Sequence, residues 1–387
     1  MDLGLSPRQE MFRDMVRDFA EKEVAPRAAA VDAEARFPAQ TIRMMGELGL
    51  MGVAIPEEYG GAGGDMICYV IAIEEISRAC ASTGVIMSIN NSMVCDLIHK
   101  FGDERQKRRF LIPLARGEQL GCFCLSEPDA GSDSGNLRVT ATAEGDHFVL
   151  NGVKNFITNG READIAIVFA TVDRQLKHKG ISALVVEKGT PGFQVLKEEN
   201  KLGIRGSSTC QLLFEQCRVP RENLLGEIGE GFRIAMVSLD GGRIGIAAQA
   251  VGIARAALEA SLQYARGRVQ FGRPIAAFQA IQFLLADMAI RIDAARLLTY
   301  RAASLRDGGV PCTRESSMAK LSASEAAMWV TTKAIQIYGG YGYITDYPVE
   351  RHFRDAKVTE IYEGTSEIQR LVIAGHLLGW PLKESGT

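Results

Sequence analysis

One acidic residue, Glu363, stands in a segment whose residue types could support proton abstraction. Just beyond it, Ser366 and Gln369 have the spacing of a capping box, so a helix is predicted to begin near Glu367. Glu363 would then lie in the loop before that helix, and Gly364 would let the backbone turn tightly behind it. A carboxylate that the scaffold holds in this way could point into a cleft as a general base. The alternative is an exposed acid that the helix dipole favours.

The segment around Glu363 and four others stand in the order of the motifs of a known enzyme family. They are residues 125–133 (LSEPDAGSD), 156–160 (FITNG), 336–342 (QIYGGYG), 351–356 (RHFRDA) and 359–370 (TEIYEGTSEIQR). Together they resemble the acyl-CoA dehydrogenases, flavoenzymes that form a trans-2,3 double bond in fatty acyl thioesters. The resemblance runs over nearly the full chain.

The composition is that of an ordinary soluble globular protein. The 387 residues suffice for a large core in two or three domains, and the net charge of −3 gives no basic footprint for nucleic acid or a membrane surface. No apolar run reaches about 18 residues, so no membrane span is expected. Acidic residues at positions 2, 10, 14 and 18 argue against a targeting peptide. We therefore expect a cytoplasmic bacterial protein.

Cysteine and histidine spacing gives no sign of a metal site. None of the eight cysteines forms a C-x-x-C pair, and the five histidines are scattered without an H-E-x-x-H motif. Cys122 and Cys124 alternate on a predicted strand and are expected to be neighbours on one face. The thiols are expected to be reduced and mostly buried. The absence of G-x-S-x-G and Walker motifs counts against a serine hydrolase and a P-loop nucleotidase.

Three blocks of different character predict an α+β protein that is mainly α. Residues 1–119 form a predicted all-α domain, which opens with a capping box at Ser6 and Gln9 around Pro7. Residues 120–228 contain short β-prone runs, at 138–143, 147–150, 165–171, 181–187 and 211–214. Turns are predicted at 144–146 and 151–152. This spacing predicts an antiparallel barrel or sandwich, and the resemblance implies the barrel.

Long helices are predicted again in residues 229–387, where the resemblance implies a four-helix bundle. A stripe at alternating steps of three and four predicts a helix packed in the core; it comprises Phe278, Ile281, Leu285, Met288, Ile292 and Ala295. Gly379, followed by Pro381, is predicted to close the last helix.

The resemblance implies an FAD cofactor, although the dinucleotide fingerprint G-x-G-x-x-G after a strand is missing. In the family the isoalloxazine ring lies between the β-domain and the C-terminal helices. On this basis Ser126 and the backbone at Leu125 would bind the pyrimidine side, and Thr158 would bind near N5. The other cofactor residues that the resemblance implies are Phe123, Gly131, Ser132, Phe156, Ile157, Arg268, Phe271, Gln279, Gln336, Ile337, Gly339, Gly340, Thr365 and Glu367.

Three groups of these implied contacts have features of their own. Many relatives carry Trp where this chain has Phe156, which keeps an aromatic ring without the indole N–H. Arg268 and Phe271 match positions that reach the FAD of a neighbouring subunit, because family members are typically homotetramers. Gly339 and Gly340 follow a helical run and, without the resemblance, would be interpreted as a helix C-cap.

The resemblance also implies how the substrate is bound and activated. Glu363 would remove the α-proton while the flavin accepts a hydride from the β-carbon, and the thioester oxygen would be held by the Glu363 N–H and a ribityl hydroxyl. The implied substrate contacts are Ser132, Asp240, Arg243, Tyr362 and Gly364. For Asp240 and Arg243 the alternative is a surface ion pair at a helix start. Some relatives place the base at the position of Gly242, which has no side chain here.

Several readings of the function stay open at this point. Segments 80–88, 201–209 and 371–378 most resemble short-chain (butyryl-CoA) members that pass electrons to an electron-transfer flavoprotein. A branched, cyclic or aryl-substituted acyl group is the alternative substrate. Rival functions are an oxygen-using relative, such as an acyl-CoA oxidase or nitroalkane oxidase, and a non-catalytic helical scaffold. Chain length counts against the oxidases, Glu at 363 counts against nitroalkane oxidase, and both the intact base and the flavin motifs count against the scaffold.

Overall fold

The computed structural model describes residues 4–380 of the chain. The N-terminal part is helical, with α1 (Pro7–Phe19), α2 (Ala25–Ala33), α3 (Ala39–Glu47), α4 (Met66–Ala79), α5 (Ala81–Ser88), α6 (Asp96–Phe101), α7 (Glu104–Gln106) and α8 (Ile112–Ala115). The predicted capping box before α1 is confirmed. A π-helical segment, Ile89–Cys95, continues α5 into α6 without a break.

The middle part is one eight-stranded sheet. Its strands are β1 (Gly121–Cys124), β2 (Thr140–Glu144), β3 (His147–Thr158), β4 (Ile165–Thr171), β5 (Ile181–Glu187), β6 (Phe193–Glu198), β7 (Thr209–Pro220) and β8 (Leu224–Leu225). They lie in the order β6-β7-β3-β2-β4-β5-β8, with β1 beside β4. Four of the five predicted runs lie within strands and the fifth, 138–143, begins two residues before β2, whereas β6 and β8 were not predicted.

The predicted antiparallel barrel is not confirmed, for two reasons. Within the described chain the hydrogen-bonded path runs from β6 to β8 and does not close. The edge strands cannot complete it, because β8 has two residues and β6 is largely exposed. The sheet is also mixed, since β4 pairs in parallel with both β1 and β2.

The turn predicted at residues 151–152 is also wrong, because both residues lie inside β3. The pairing of β3 with β7 shifts register between Leu150 and Gly152. Gly152 has a φ of 136°, and a Cβ there would stand 2.9 Å from Cγ2 of Val139. The glycine therefore marks a β-bulge. The other predicted turn is confirmed, with Gly145 at a φ of 60° between β2 and β3.

The C-terminal part comprises α9 (Gly231–Gly267), α10 (Gln279–Asp307), α11 (Thr313–Tyr338), α12 (Val349–Lys357) and α13 (Ser366–Leu378). A short hairpin, β9 (Val269–Gln270) with β10 (Arg273–Pro274), connects α9 to α10. Helix α11 packs against α9, α10, α12 and α13. The C-terminal half of the predicted stripe, Met288, Ile292 and Ala295, is buried, whereas its N-terminal half is only partly covered. Gly379 ends α13 with a φ of 64° as predicted, and Pro381 lies outside the described residues.

Strands β1 and β4 separate two hydrophobic cores. Ile165, Ile167 and Phe169 belong to the large core that the sheet shares with the helices, while the alternate residues of β4 belong to a smaller core inside the sheet domain. Cys122 and Cys124 face the smaller core with their sulfurs 3.6 Å apart, which confirms the predicted pair. All eight cysteines are free and buried. None of the described helices combines the length and apolarity needed to span a membrane.

Candidate active site

A cavity of about 1020 Å³ lies between the sheet and the C-terminal helices. One wall comes from β1, β3 and the loop after β1, and the other comes from α9, the loop before α13 and the first turns of α13. Twelve residues predicted from the sequence line it: Phe123, Leu125, Ser126, Gly131, Ser132, Phe156, Ile157, Thr158, Arg243, Tyr362, Glu363 and Gly364. The structure therefore brings the predicted base and the predicted flavin strands to one cavity.

The loop that carries Glu363 has an uncommon backbone conformation. The φ angle is 54° at Glu363 and 93° at Gly364, so two successive residues have positive φ. Glycine takes this conformation readily, whereas a non-glycine residue there is uncommon and points to a functional constraint. The amide Nε2 of Gln369 donates to the carbonyl of Gly364 at 2.9 Å and to that of Glu363 at 3.2 Å. Helix α13 thus holds the loop through a buried side chain.

The cap of α13 is one residue earlier than predicted. The helix begins at Ser366, and the N-cap is Thr365, whose hydroxyl accepts a hydrogen bond from the N–H of Ile368. Thr365 has the extended backbone of a cap (φ −60°, ψ 164°), whereas Ser366 is already helical. The predicted capping box at Ser366 and Gln369 is therefore wrong, and Gln369 is free to bind the loop.

The Glu363 carboxylate is buried against α9. Neither of its oxygens has a hydrogen-bond partner in the described chain. Burial raises the pKa of Glu363 to about 7, and the positive charges of Lys320 and Arg243 act against that rise. These two opposing charges come from α11 and α9.

Asp240 and Arg243 form an ion pair inside the protein. Nη1 of Arg243 lies 3.1 Å from Oδ1 of Asp240, and both residues lie well within α9, so the surface pair at a helix start is wrong. Burial lowers the pKa of Arg243, although the charges of Asp240 and Glu363 act in the opposite direction. Arg243 lines the cavity, whereas Asp240 lies behind it and accepts a hydrogen bond from the Thr313 hydroxyl.

A second set of predicted cofactor residues does not line this cavity. It comprises Arg268, Phe271, Gln279, Gln336, Ile337, Gly339, Gly340, Thr365 and Glu367. Phe271 is 92% exposed on the hairpin after α9. The guanidinium of Arg268 lies 5.2 Å from the ring of Tyr341, in the turn that begins with Gly339. Gly339 ends α11 with a φ of 62°, so it is a helix C-cap, and any contact with a cofactor would be an additional role.

Several residues of the site were missed from the sequence. Phe232, Met236 and Leu239 precede Arg243 at steps of four, three and four, so they share one face of α9 and line the cavity. That spacing was a signal in the sequence. Lys320 carried no such signal; it is buried, and its ammonium group donates to the Gly364 carbonyl at 2.7 Å.

The wall formed by β1 and β3 is supported from behind by a buried ion pair. Nζ of Lys154 lies 2.7 Å from Oε1 of Glu127 and 3.0 Å from the Leu125 carbonyl. Glu127 also accepts hydrogen bonds from the N–H groups of Arg138 and Val139. Both charges are therefore partnered, and they fix the strand end that carries Leu125.

This wall has the features that a flavin ring needs. Phe156 has a φ of 58° and is 64% exposed, so its aromatic ring is presented toward the cavity. The hydroxyls of Ser126 and Thr158 line the same cavity, and no other residue in the described part of the chain uses them. An aromatic face beside free polar groups in a cavity of this size fits a flavin.

Comparisons with known proteins agree with this architecture. Family models match in succession: "Acyl-CoA dehydrogenase, N-terminal domain" at residues 6–118, "middle domain" at 122–217 and "C-terminal domain" at 229–378. The chain belongs to the acyl-CoA dehydrogenase family, a family of flavoprotein oxidoreductases.

Individual relatives are similar over almost their whole length. The mitochondrial short-chain specific acyl-CoA dehydrogenase of Homo sapiens is 58% identical over 97% of this chain and 91% of its own. The structure of butyryl-CoA dehydrogenase from Megasphaera elsdenii is 48% identical with a TM-score of 0.96, covering 98% of this chain and 100% of that one. A chain solved in work on the electron transferring flavoprotein of Acidaminococcus fermentans and flavin-based electron bifurcation is 50% identical, with a TM-score of 0.97 and coverage of 98% and 100%.

Proposed function

We propose that this protein converts a short-chain acyl-CoA thioester to the trans-2-enoyl-CoA, with Glu363 as the base that removes the α-proton. The observation that carries the proposal is the buried Glu363 carboxylate, which lines the cavity and has no hydrogen-bond partner in the described chain. A base of this kind needs a pKa near the working pH, and burial raises the pKa of Glu363 to about 7. The short-chain preference is supported by the names of the similar proteins.

The backbone of Glu363 is suited to hold the thioester oxygen. Among the hydrogen bonds within residues 4–380, none uses the Glu363 N–H as donor. The N–H is thus available for the oxygen that gains negative charge as the α-proton leaves. Ser132, Arg243, Tyr362 and Gly364 line the cavity around it, and we assign them to substrate binding with Asp240 as the partner of Arg243.

Members of the family are generally FAD-dependent, and we assign the ring site to the wall of β1 and β3. Phe123, Leu125, Ser126 and Thr158 would hold the ring there. FAD, when bound, would accept the hydride from the β-carbon. We assign Arg268 and Phe271 to the cofactor of a neighbouring subunit in a homotetramer, and the other residues of the second set to further contacts with the cofactor. An electron-transfer flavoprotein is the proposed electron acceptor, which the similarity to the Acidaminococcus structure supports.

We also propose domains at residues 1–119, 120–228 and 229–387 and a cytoplasmic location.

Purified protein tests the function directly. We expect a yellow preparation whose flavin absorbance bleaches on anaerobic addition of butyryl-CoA and stays bleached in air until an electron acceptor is added. A colourless preparation would favour the scaffold, and rapid reoxidation in air would favour the oxidase. A series of straight, branched and aryl-substituted acyl-CoAs measures the acyl preference.

A further inference from the structure

The buried Lys320 contacts the loop that carries the base. Its side chain projects from α11, and its ammonium group donates to the Gly364 carbonyl at 2.7 Å. From the other side Gln369 of α13 donates to the same carbonyl and to that of Glu363. Two helices therefore hold both carbonyls of the positive-φ segment. With these carbonyls fixed, the direction of the Glu363 side chain is fixed as well.

A hydrogen bond to one carbonyl does not explain a charged group in this position. An ammonium group has three donors, and burying it costs free energy unless an opposite charge lies close by. Burial lowers the pKa of Lys320 to about 8, and the charge of Glu363 is the largest effect in the opposite direction. Of the two positive charges that favour the ionised form of Glu363, Lys320 has the larger effect on its pKa and Arg243 the smaller. The two side chains thus stabilise one another's charged form.

We propose that Lys320 is a positioning residue for the Glu363 base. Through the Gly364 carbonyl it holds the loop in the conformation that places the carboxylate against Gly242. Through its charge it favours the ionised form of the carboxylate in a cavity from which substrate displaces water. The inference rests on the proposed role of Glu363 as the base.

Other charged or titratable groups interact with a member of this pair or with Arg243. They are Arg243 and Asp240 from α9, Tyr69 from α4, Tyr362 from the loop itself, and Glu360 and Glu367 on the two sides of the loop. Arg243 is already paired with Asp240 at 3.1 Å. Lys320 has no carboxylate within ion-pair distance in the described chain, so its charge is the one left to balance Glu363.

The test compares Lys320→Gln, Lys320→Met and Lys320→Arg with native protein in steady-state oxidation of butyryl-CoA with an added electron acceptor, and the bleaching of the flavin is followed by rapid mixing. Gln can keep the hydrogen bond without the charge, Met removes both, and Arg keeps both. For Lys320→Gln we expect the acidic limb of kcat/KM against pH to move up by about one unit. For Lys320→Met we expect the same shift and a further fall in kcat of about tenfold, with a much smaller change in KM. Lys320→Arg should return most of the native profile.

Lys333→Gln is the matched control, because Lys333 lies on the same helix beside the ring of Trp329. It removes one positive charge about 20 Å further along α11, so it should leave the pH profile unchanged. Flavin content and the thermal midpoint are recorded for every variant. A native pH profile in both Lys320→Gln and Lys320→Met, or an equal shift in Lys333→Gln, would overturn the proposal.

The role of Glu363 is tested separately by Glu363→Gln in the same assay. Loss of bleaching in Glu363→Gln with an unshifted profile in the Lys320 variants removes only the proposal for Lys320. If the Met variant does not fold, the comparison of Gln with Arg decides the question. A shift in Gln that Arg does not reverse would assign the effect to packing and overturn the charge argument.

Discussion

Gly242 and Glu363 compete for the same space. A Cβ built on Gly242 would stand 2.0 Å from Oε2 of Glu363 and 2.6 Å from the sulfur of Met93. The carboxylate thus packs directly on the backbone of α9, and only a residue without a side chain leaves room for it. The absence of a side chain at 242 and the position of the Glu363 carboxylate are two aspects of one packing arrangement.

Gly242→Ala should therefore displace the Glu363 carboxylate, although Glu363 itself is still present. Because the new methyl group would overlap Oε2, we expect the rate of flavin bleaching by butyryl-CoA to fall at least about tenfold, a loss of ~1.4 kcal/mol in transition-state stabilisation. Gly241→Ala is the matched control, since a Cβ there meets only the end of the flexible Arg306 side chain, 2.8 Å away. Equal rates in the Gly242 variant and the control would contradict the packing argument.

The buried carboxylate should also make stability depend on pH. Folding raises the pKa of Glu363 from its ordinary 4.5 to about 7. The folded chain holds this proton more tightly than the unfolded chain, so the favourable contribution is present below about pH 4.5 and is lost as the pH rises through about 7. A glutamine at position 363 cannot ionise, so the stability of that variant would not fall in this way as the pH rises.

Glu363→Gln should for this reason gain stability relative to native protein between pH 5 and pH 8, by up to about 3 kcal/mol. Thermal unfolding of both proteins at the two pH values measures the gain. The same difference in thermal midpoint at pH 5 and pH 8 would show that the native carboxylate does not titrate in this range.

Lys154 and Glu127 form the buried ion pair behind the wall of β1 and β3, where we propose that the flavin ring binds. Lys154→Met would leave Glu127 as an unpaired buried charge, with an expected cost of about 3–5 kcal/mol. It would also remove the donor to the Leu125 carbonyl, so the purified variant should retain less flavin. Arg138→Gln, which breaks only the exposed pair of Arg138 with Asp129, should cost under ~1 kcal/mol. Native flavin content and thermal midpoint in Lys154→Met would refute this role.

The parts of the molecule that local sequence determines could be predicted. The order of helices, strands and helices follows from periodicity and turn residues, and the place of Glu363 before a helix follows from its neighbours. The cap itself was misplaced by one residue, because Thr365 and Ser366 have equivalent hydroxyls. The choice between them depends on the backbone that Gly364 and the helix contacts impose.

The parts that depend on distant contacts could not be predicted. Lys320 is an ordinary helix residue in the sequence, and Gln369 was predicted only as half of a capping box. Only the packing of α11 and α13 around the loop shows that both are buried. The glycine in β3 has the same neighbours as a turn glycine, and its role as a bulge depends on the pairing with β7. The open sheet likewise depends on how far each edge strand extends.

We propose the Glu363 carboxylate as the base of the reaction. Its most direct test is the rate at which butyryl-CoA bleaches the bound flavin in Glu363→Gln, measured anaerobically by rapid mixing beside the native protein. We predict that the variant retains its flavin and its affinity for butyryl-CoA, while the rate of bleaching falls by about 10²–10⁴. Bleaching at the native rate in the flavin-loaded variant would contradict the account.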